Sequence, residues 1–223
     1  GLGQAIAIGL AAAGAEVVCA ARRAPDETLD IIAKQGGKAS ALLIDFADPL
    51  AAKDVFAGAG FDILVNNAGV GLRARLPEVK PEDFDRVLQV NLKTPFFLIQ
   101  HSLPFLRDGG RIINISSMGT RAAYPEMSVY APAKAGLQAL TLLLASELGA
   151  RGITVNAVLP GATATDLNQR ARDPELSRVI AQSIALGRVG QPEDIADIVA
   201  FLASHEGRWV TGQSIDATGG QRL

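Results

Sequence analysis

Short apolar runs rich in β-branched residues alternate along this chain with longer segments that have helical periodicity. The alternation predicts an α/β fold with a parallel sheet covered on both faces, because parallel neighbouring strands need long crossovers that helices usually supply. The runs predicted as strands are 16–20, 39–44, 61–65, 111–115, 153–158 and 214–217. The segments predicted as helices are 4–13, 26–35, 49–57, 81–106, 129–150, 174–184 and 192–203.

The length of the chain and its lack of linkers predict one domain. A single hydrophobic core can grow to about 250 residues before chains tend to divide, and this chain has 223 residues with no fixed-period repeat or Pro/Gly/Ser linker. We therefore expect one domain over residues 1–223. The longest irregular stretch, 160–172, predicts a small substrate lid around residues 160–190, because long loops in compact domains are usually functional or mobile.

The composition argues against several classes of protein. A formal net charge of −2 indicates neither a nucleic acid nor a membrane partner. No apolar run approaches the roughly 18 residues of a membrane helix, and residues 1–10 lack the features of a secretory signal, so a cytoplasmic location is the default. The single cysteine, Cys19, cannot form an internal disulfide. His101 and His205 have no Cys or His neighbours at ligand spacing, and we expect no metal site.

Tyr130 and Lys134 lie four residues apart on a predicted helix, so their side chains project from one face about one turn apart. A lysine ammonium beside a phenol favours the phenolate, which would lower the tyrosine pKa from about 10 toward the range of a general acid/base. Such a pair also arises by chance at this spacing. Its surroundings therefore decide between a functional pair and a coincidence.

Polar residues follow two of the predicted strands at their carboxyl ends, where open parallel sheets place their ligands. Ser117 lies 13 residues before Tyr130, and its hydroxyl can polarise a carbonyl. The alternative is that Ser116 and Ser117 only turn the chain. Residues 66–69, Asn-Asn-Ala-Gly, follow another predicted strand, with a plain Asx turn as the alternative.

The combined pattern resembles the short-chain dehydrogenase/reductase family over essentially the whole chain. The matching residues are Gly1-Leu2-Gly3, Asn66-Asn67-Ala68-Gly69, Asn91, Ser117, Tyr130, Lys134 and Pro160-Gly161. The resemblance implies a Rossmann fold, a three-layer αβα sandwich with a parallel doubly wound sheet. In it Tyr130 would be the general acid/base and Ser117 would orient the substrate carbonyl. Lys134 would bind the nicotinamide ribose and lower the pKa of Tyr130.

Asn91 matches the family asparagine that holds a water in the proton relay. The alternative is an asparagine that causes a local irregularity in a long helix, which is compatible with that role. The resemblance thus implies a catalytic set of Asn91, Ser117, Tyr130 and Lys134.

The resemblance also implies a dinucleotide site built from the loops that follow the strands. Gly1 and Gly3 would permit close approach of the pyrophosphate at the positive end of the next helix. Asp45 would contact the adenine, Asn67 the adenosine ribose, and the backbone of Thr163 the nicotinamide carboxamide. The full implied set is Gly1, Leu2, Gly3, Asp45, Phe46, Asn67, Ala68, Gly69, Tyr130, Lys134, Pro160, Gly161, Thr163 and Thr165.

The residues after the first predicted strand favour NADP(H) over NAD as cofactor. NAD enzymes usually place an acid there to bind the ribose hydroxyls, and this chain has Ala21 in that place, followed by Arg22 and Arg23. Arginine suits bidentate recognition of a 2′-phosphate. Solvated surface arginines are the alternative.

The chain opens on Gly1-Leu2-Gly3 directly before a predicted helix, with no strand ahead of it. A dinucleotide fold needs its first strand in the middle of the sheet. We therefore expect an upstream segment that carries this strand and the first glycine of the phosphate loop. A continuous sheet formed by residues 1–223 alone would contradict this expectation.

The implied reaction is hydride transfer between nicotinamide C4 and a substrate carbon, which interconverts a secondary alcohol and a ketone without a metal. The substrate stays open between a sugar or sugar acid and a 3-oxoacyl thioester. The alternative is a nucleotide-sensing or scaffold protein without turnover, although all four catalytic positions hold competent side chains. By resemblance we also expect a homotetramer, or a homodimer, in which Leu137, Leu140 and Leu144 face a partner or the core.

Overall fold

The computed structural model describes residues 1–48, 55–56 and 60–222. Its strands are β1 (Glu16–Ala21), β2 (Lys38–Leu43), β3 (Phe61–Asn66), β4 (Leu106–Ile115), β5 (Thr154–Pro160) and β6 (Ser214–Ala217). Its helices are α1 (Leu2–Ala12), α2 (Asp26–Lys34), α3 (Pro81–Leu88), α4 (Thr94–Ser102), α5 (Tyr130–Leu148), α6 (Gln169–Arg172), α7 (Pro174–Ala181) and α8 (Pro192–Ala203). The helix predicted at 49–57 lies almost wholly outside the described residues.

All described strand pairs are parallel, and the prediction of an α/β fold is confirmed. β1 pairs with β2 in one sheet, while β3, β4, β5 and β6 form a second sheet in that order. A continuous sheet would contradict the expectation of an upstream strand; the described residues form two sheets, and that expectation stays a prediction.

Helices cover both faces of the four-stranded sheet. Successive side chains of a strand point to opposite faces, and apolar residues on both faces pack against helices. On β4, Ile113 and Ile115 pack with α1 and α8, whereas Ile112 packs with α4 and α5. Val17 of β1 and Val65 of β3 pack against the same α1–α8 cluster, so α1 and α8 span both sheets. Within the described ranges, no helix is long and apolar enough to cross a membrane.

The prediction of one continuous helix over 81–106 is wrong. A π-helical turn, Gln89–Lys93, separates α3 from α4, and α4 ends at Ser102. The fully buried Asn91 donates its side-chain N–H groups to the carbonyls of Val87 and Val70, both at 2.9 Å. The carbonyl four residues back is thus bonded by a side chain, which displaces the regular helix pattern. Pro104 then prevents the helix from continuing.

Strand β4 begins at Leu106, five residues before its predicted start at 111. Its register against β3 shifts between Phe61 and Ile63, which face Leu106 and Arg111 respectively. The glycine at 109 has φ of 76°, a conformation that glycine adopts without strain. The Asp108-Gly109-Gly110 run, which is typical of a turn, therefore forms an irregularity inside the strand.

A chain of buried polar side chains fixes α5 to the sheet. The Asn66 amide donates to Asn114 Oδ1 at 2.8 Å, and the Asn114 amide donates to Thr141 Oγ1 at 2.9 Å. The Thr141 hydroxyl then donates to the Leu137 carbonyl of α5 at 2.8 Å. Because buried polar groups are costly without partners, this chain favours one placement of α5 over the carboxyl half of β3 and β4.

Candidate active site and dinucleotide cleft

The parallel topology gathers the predicted site residues at one edge of the fold. Segments that follow parallel strands all emerge at the carboxyl edge, and α1, which leads into β1, starts at that same edge. The start of α1 approaches the residues after β3 closely, because a Cβ added to Gly3 would lie 2.7 Å from Asn67 Nδ2. The loop after β3 therefore meets the start of α1.

Three of the four residues predicted as catalytic converge where β4 ends against α5. Tyr130 is the first residue of α5, and Lys134 follows one turn later. The Lys134 ammonium donates to the carbonyl of Ile115, the last residue of β4, at 2.8 Å, and Nζ lies 5.9 Å from the Tyr130 ring centroid. Ser117 follows Ile115 by two residues and is a hydrogen-bond partner of the Tyr130 phenol.

Burial sets the protonation of Lys134. Lys134 is only 3% exposed, and burial disfavours the charged form of its side chain. The pKa of Lys134 is accordingly lowered from 10.5 to about 8. The Lys134 ammonium therefore loses its proton at a lower pH than an exposed lysine would, and the Ile115 carbonyl is its hydrogen-bond acceptor.

The expectation that Lys134 lowers the pKa of Tyr130 is not met in this structure. Burial of the phenol raises the pKa of Tyr130, and the hydrogen bond from Ser117 opposes this only in part. The phenolate would be poorly solvated there, and the Lys134 ammonium points to the Ile115 carbonyl. Tyr130 is therefore a neutral phenol at physiological pH.

Asn91, the fourth predicted catalytic residue, lies beside Lys134 across Gly69. A Cβ added to Gly69 would be 2.9 Å from Asn91 Oδ1 and 3.4 Å from Lys134 Nζ. The Asn91 Oδ1 atom also accepts the Val70 N–H at 3.3 Å. Asn91 therefore ties the loop after β3 to the π-helical turn, as the alternative of a local helix irregularity implies. Its part in a proton relay stays a prediction.

The residues predicted to bind the phosphates lie at the start of α1 and the end of β1. Gly1 precedes α1, whose first turn contains no acidic residue. Arg22 and Arg23 follow Ala21 of β1 and are exposed. An uncompensated helix N-terminus together with two exposed guanidinium groups suits a polyanionic ligand.

The loop predicted to contact adenine is held by the neighbouring helix. The exposed Asp45 carboxylate accepts the Ala47 N–H at 3.0 Å, within its own turn. The Phe46 carbonyl accepts the Thr94 hydroxyl at 2.7 Å, and Thr94 in turn accepts a bond from Gln89 at 3.1 Å. Thr94 and Gln89 were not predicted, because their sequence positions inside a helix carry no signal for this contact.

The loop after β5 carries the residues predicted to contact the nicotinamide. Hydrogen bonds from Ala164 N to Gly190 O and from Gly190 N to Ala162 O, both 2.9 Å, bracket Thr163. In such a parallel bridge the N–H and C=O of Thr163 itself point the other way. Its buried hydroxyl donates to the Gly161 carbonyl at 3.1 Å, so the hydroxyl hydrogen is already used, while the backbone N–H and C=O of Thr163 point away from Gly190.

Gln221 anchors this loop and was not predicted from the sequence. Its side-chain oxygen accepts the Ala162 N–H at 2.8 Å, and a Cβ at Gly161 would lie 2.9 Å from the same oxygen. The neighbouring site residues Pro160 and Thr165 are buried. The same Cβ would lie 2.9 Å from the backbone Cα of Thr218, which cannot move aside as a side chain can, so glycine is required at 161.

The described residues fit a dinucleotide on structural grounds. Backbone cradles that a Cβ would fill occur at Gly3, Gly69 and Gly161, all at the carboxyl edge. The exposed Arg22 and Arg23 follow β1 and could donate to phosphate, while a buried phenol and ammonium lie on the first turns of α5. Among the residues that the structure describes, no three His, Cys, Asp or Glu side chains come together as a metal site requires.

Comparison with known proteins gives matches over the whole chain. Residues 1–222 match the family model described as enoyl-(acyl carrier protein) reductase. An uncharacterized oxidoreductase of Methylorubrum extorquens is 39% identical over 232 residues, which cover 100% of this chain and 94% of that protein. A hydroxynaphthalene reductase-like protein of Metarhizium majus is 37% identical and covers 99% of this chain and 90% of its own length.

Solved structures also match this chain over nearly its whole length. One from Agrobacterium tumefaciens, provisionally named a 2-deoxy-D-gluconate 3-dehydrogenase and containing bound NADP, is 52% identical with a TM-score of 0.94, over 99% of this chain and 92% of that chain. An angucycline C-6 ketoreductase with bound NADP is 41% identical with a TM-score of 0.93, over 100% of this chain and 92% of that chain.

Because the pKa of Lys134 is lowered on folding, the free energy of unfolding should depend on pH. Between pH 8 and pH 10.5 the unfolded chain retains a proton on Lys134 that the folded chain loses, so the free energy of unfolding rises with pH. Relative to Lys134→Met, wild type should gain stability from about pH 8 to about pH 10.5, as measured by denaturant titration. Lys38→Met, at an exposed lysine of β2, is the matched control. A Lys134→Met difference that does not change with pH would contradict the assignment.

Proposed function

The chain belongs to the short-chain dehydrogenase/reductase family of oxidoreductases, and within this family we propose that it interconverts a secondary alcohol and a ketone with NADP(H). The observation that carries the proposal is the convergence of Tyr130, Lys134 and Ser117 at one end of the cleft, with Lys134 bonded to the carboxyl end of β4 at 2.8 Å. A non-catalytic sensor or scaffold is not supported, since each catalytic position holds a competent side chain.

In the proposed mechanism, Tyr130 and Ser117 act on the same substrate oxygen. The nicotinamide, when bound, supplies or accepts the hydride. The raised pKa of Tyr130 keeps the phenol protonated, which suits proton donation during carbonyl reduction. The Gly119 N–H donates to Ser117 Oγ at 3.1 Å and orients this hydroxyl. When the substrate is bound, the Ser117 O–H would exchange its bond to the Tyr130 phenol for a bond to the carbonyl oxygen. The Lys134 ammonium provides a positive charge beside the phenol and a donor for the nicotinamide ribose.

For the cofactor, the start of α1 with Gly1, Leu2 and Gly3 would hold the pyrophosphate, and Arg22 and Arg23 would hold the 2′-phosphate. The loop Asp45-Phe46 would flank the adenine, and Asn67 would reach its ribose. The backbone of Thr163 would meet the carboxamide. Two solved relatives that contain NADP support the choice of NADP(H) over NAD.

For the substrate, we propose a keto sugar acid or related sugar first, on the basis of the 52% identical structure named a 2-deoxy-D-gluconate 3-dehydrogenase. A 3-oxoacyl thioester is the second candidate, which the description of the family model supports. Residues 160–190, which include α6 and α7, form the proposed lid over this substrate. No residue of α7 is buried, and its Val179 side chain is exposed.

For the assembly, we propose a cytoplasmic homotetramer without nucleic acid or membrane partners. Leu137 packs fully in the core, and Leu140 and Leu144 pack against a core cluster, so the predicted leucines face inward. Other apolar residues of α4 and α5 are exposed instead, namely Phe96, Leu142 and Leu143. Of these, Phe96 and Leu143 line one apolar surface, which supports association through α4 and α5.

Replacement of Tyr130 by Phe tests the proposed reaction. The variant lacks the transferable proton, and turnover should fall by roughly 10²- to 10⁴-fold while NADPH binding stays nearly unchanged. NADPH oxidation would be followed by absorbance with keto sugar acids and 3-oxoacyl thioesters, and NADPH affinity by fluorescence titration. Tyr124→Phe, at the other tyrosine of the chain, is the control and should retain kcat. Unchanged turnover in Tyr130→Phe would refute the mechanism.

Replacement of Arg22 and Arg23 together by Ala tests the cofactor choice. Loss of charged hydrogen bonds to the 2′-phosphate should raise KM for NADPH by about 10- to 100-fold, because such bonds are worth about 1.5–3 kcal/mol. KM for NADH should change little, since NADH lacks this phosphate. Arg208→Ala, at another exposed arginine, controls for general loss of positive charge. Equal effects on both cofactors would exclude recognition of the 2′-phosphate by these residues.

A further inference from the structure

We infer that Gln138 is a positioning residue for the proposed reaction: its side-chain amide holds the turn that carries Ser117 against the helix that carries Tyr130 and Lys134. The inference rests on the proposed function, because Ser117 and Tyr130 must be placed together for proton transfer to matter. Gln138 lies one helical turn beyond Lys134 and two beyond Tyr130, so all three share one face of α5.

The contacts of Gln138 bracket Ser117 on both sides. The side-chain nitrogen donates to Ser116 Oγ at 2.7 Å and to Thr120 Oγ1 at 2.8 Å. Ser116 precedes Ser117 and is buried, while Thr120 closes the turn of 3₁₀-helix, Met118–Thr120, that Ser117 caps. One amide group therefore fixes both ends of the Ser117 turn to α5.

The Ser116 and Thr120 hydroxyls both use their hydrogens elsewhere, so the group that bonds to both must be a donor. The Ser116 hydroxyl donates to the Lys134 carbonyl at 3.1 Å, and the Thr120 hydroxyl donates to the Ser117 carbonyl at 2.9 Å. Each hydroxyl therefore presents a lone pair to Gln138, and the two N–H groups of the amide match the two lone pairs. A carboxylate of the same shape would place its own lone pairs against those of both hydroxyls, and an apolar side chain would leave them without a donor.

This arrangement links Gln138 to the chemistry without contact with the substrate. The Ser117 hydroxyl is oriented by the Gly119 N–H and the Ser117 carbonyl by the Thr120 hydroxyl, and Thr120 is itself held by Gln138. A small displacement of Ser117 relative to Tyr130 would misplace the substrate oxygen, and misplacement on the order of 1 Å can cost about 100-fold in rate. The fold itself is held by the apolar clusters on both faces of the sheet, which Gln138 does not join.

The test compares Gln138→Met with Gln138→Glu, two substitutions of similar shape. For Gln138→Met we expect kcat to fall by roughly 10- to 100-fold, with KM for NADPH changed less than about twofold and the melting temperature shifted by only a few degrees. Gln138→Glu should be slower still at neutral pH and should recover as the pH falls and its carboxyl group gains a donor hydrogen. Neither wild type nor Gln138→Met should show this recovery. Gln35→Met, at an exposed glutamine, is the matched control.

A double-mutant cycle with Ser117→Ala shows whether Gln138 acts through Ser117. The loss caused by Gln138→Met should largely disappear when Ser117 is already Ala. A full loss in that background, or a wild-type kcat in Gln138→Met, would overturn the inference. The two failures can be told apart. If the proposed reaction were wrong, Tyr130→Phe would keep wild-type turnover, whereas an error about Gln138 alone would leave the loss in Tyr130→Phe unchanged.

Discussion

The hydrogen bond from the buried Lys134 ammonium to the Ile115 carbonyl is the interaction on which the rest of the site depends. A charge on a residue that is 3% exposed is costly unless it is hydrogen-bonded, and the Ile115 carbonyl at 2.8 Å supplies that bond. The bond joins the first turns of α5 to the end of β4. Tyr130, one turn earlier on α5, and Ser117, two residues past Ile115, are thereby brought to one place. The same ammonium restricts the loop after β3, because a Cβ at Gly69 would lie 3.4 Å from it.

Neutral side-chain amides hold the loops around this single charge. Asn91 joins the loop after β3 to the π-helical turn, Gln138 joins the Ser117 turn to α5, and Gln221 joins the loop after β5 to the C-terminal segment. Amides can fix backbone and hydroxyl groups without adding charge near the ammonium or the buried phenol. The site is therefore set in place before ligands arrive, which is the arrangement that electrostatic catalysis requires.

The strands could be predicted from the sequence because β-branched apolar runs and parallel crossovers leave few alternatives, and the motif residues meet because carboxyl ends of parallel strands share an edge. The helix over 81–106 was predicted as continuous, although a local irregularity at Asn91 was an alternative, because the bonds of the Asn91 amide to the Val87 and Val70 carbonyls depend on the folded structure. The pKa of Tyr130 was predicted in the wrong direction because burial is a property of the packed structure. Gln138 did carry a signal, since it continues the four-residue spacing of Tyr130 and Lys134.

Burial keeps the Tyr130 phenol neutral beside Lys134, which suits the proton donation that we propose for it. This protonation state can be measured by an alkaline titration of tyrosinate absorbance in wild type and Tyr130→Phe, whose difference spectrum isolates Tyr130 from Tyr124. We expect the Tyr130 phenol to ionise above the ordinary tyrosine value of 10.0, because its pKa is raised by burial. Ionisation of the Tyr130 phenol below pH 10.0 would show instead that burial does not control its protonation.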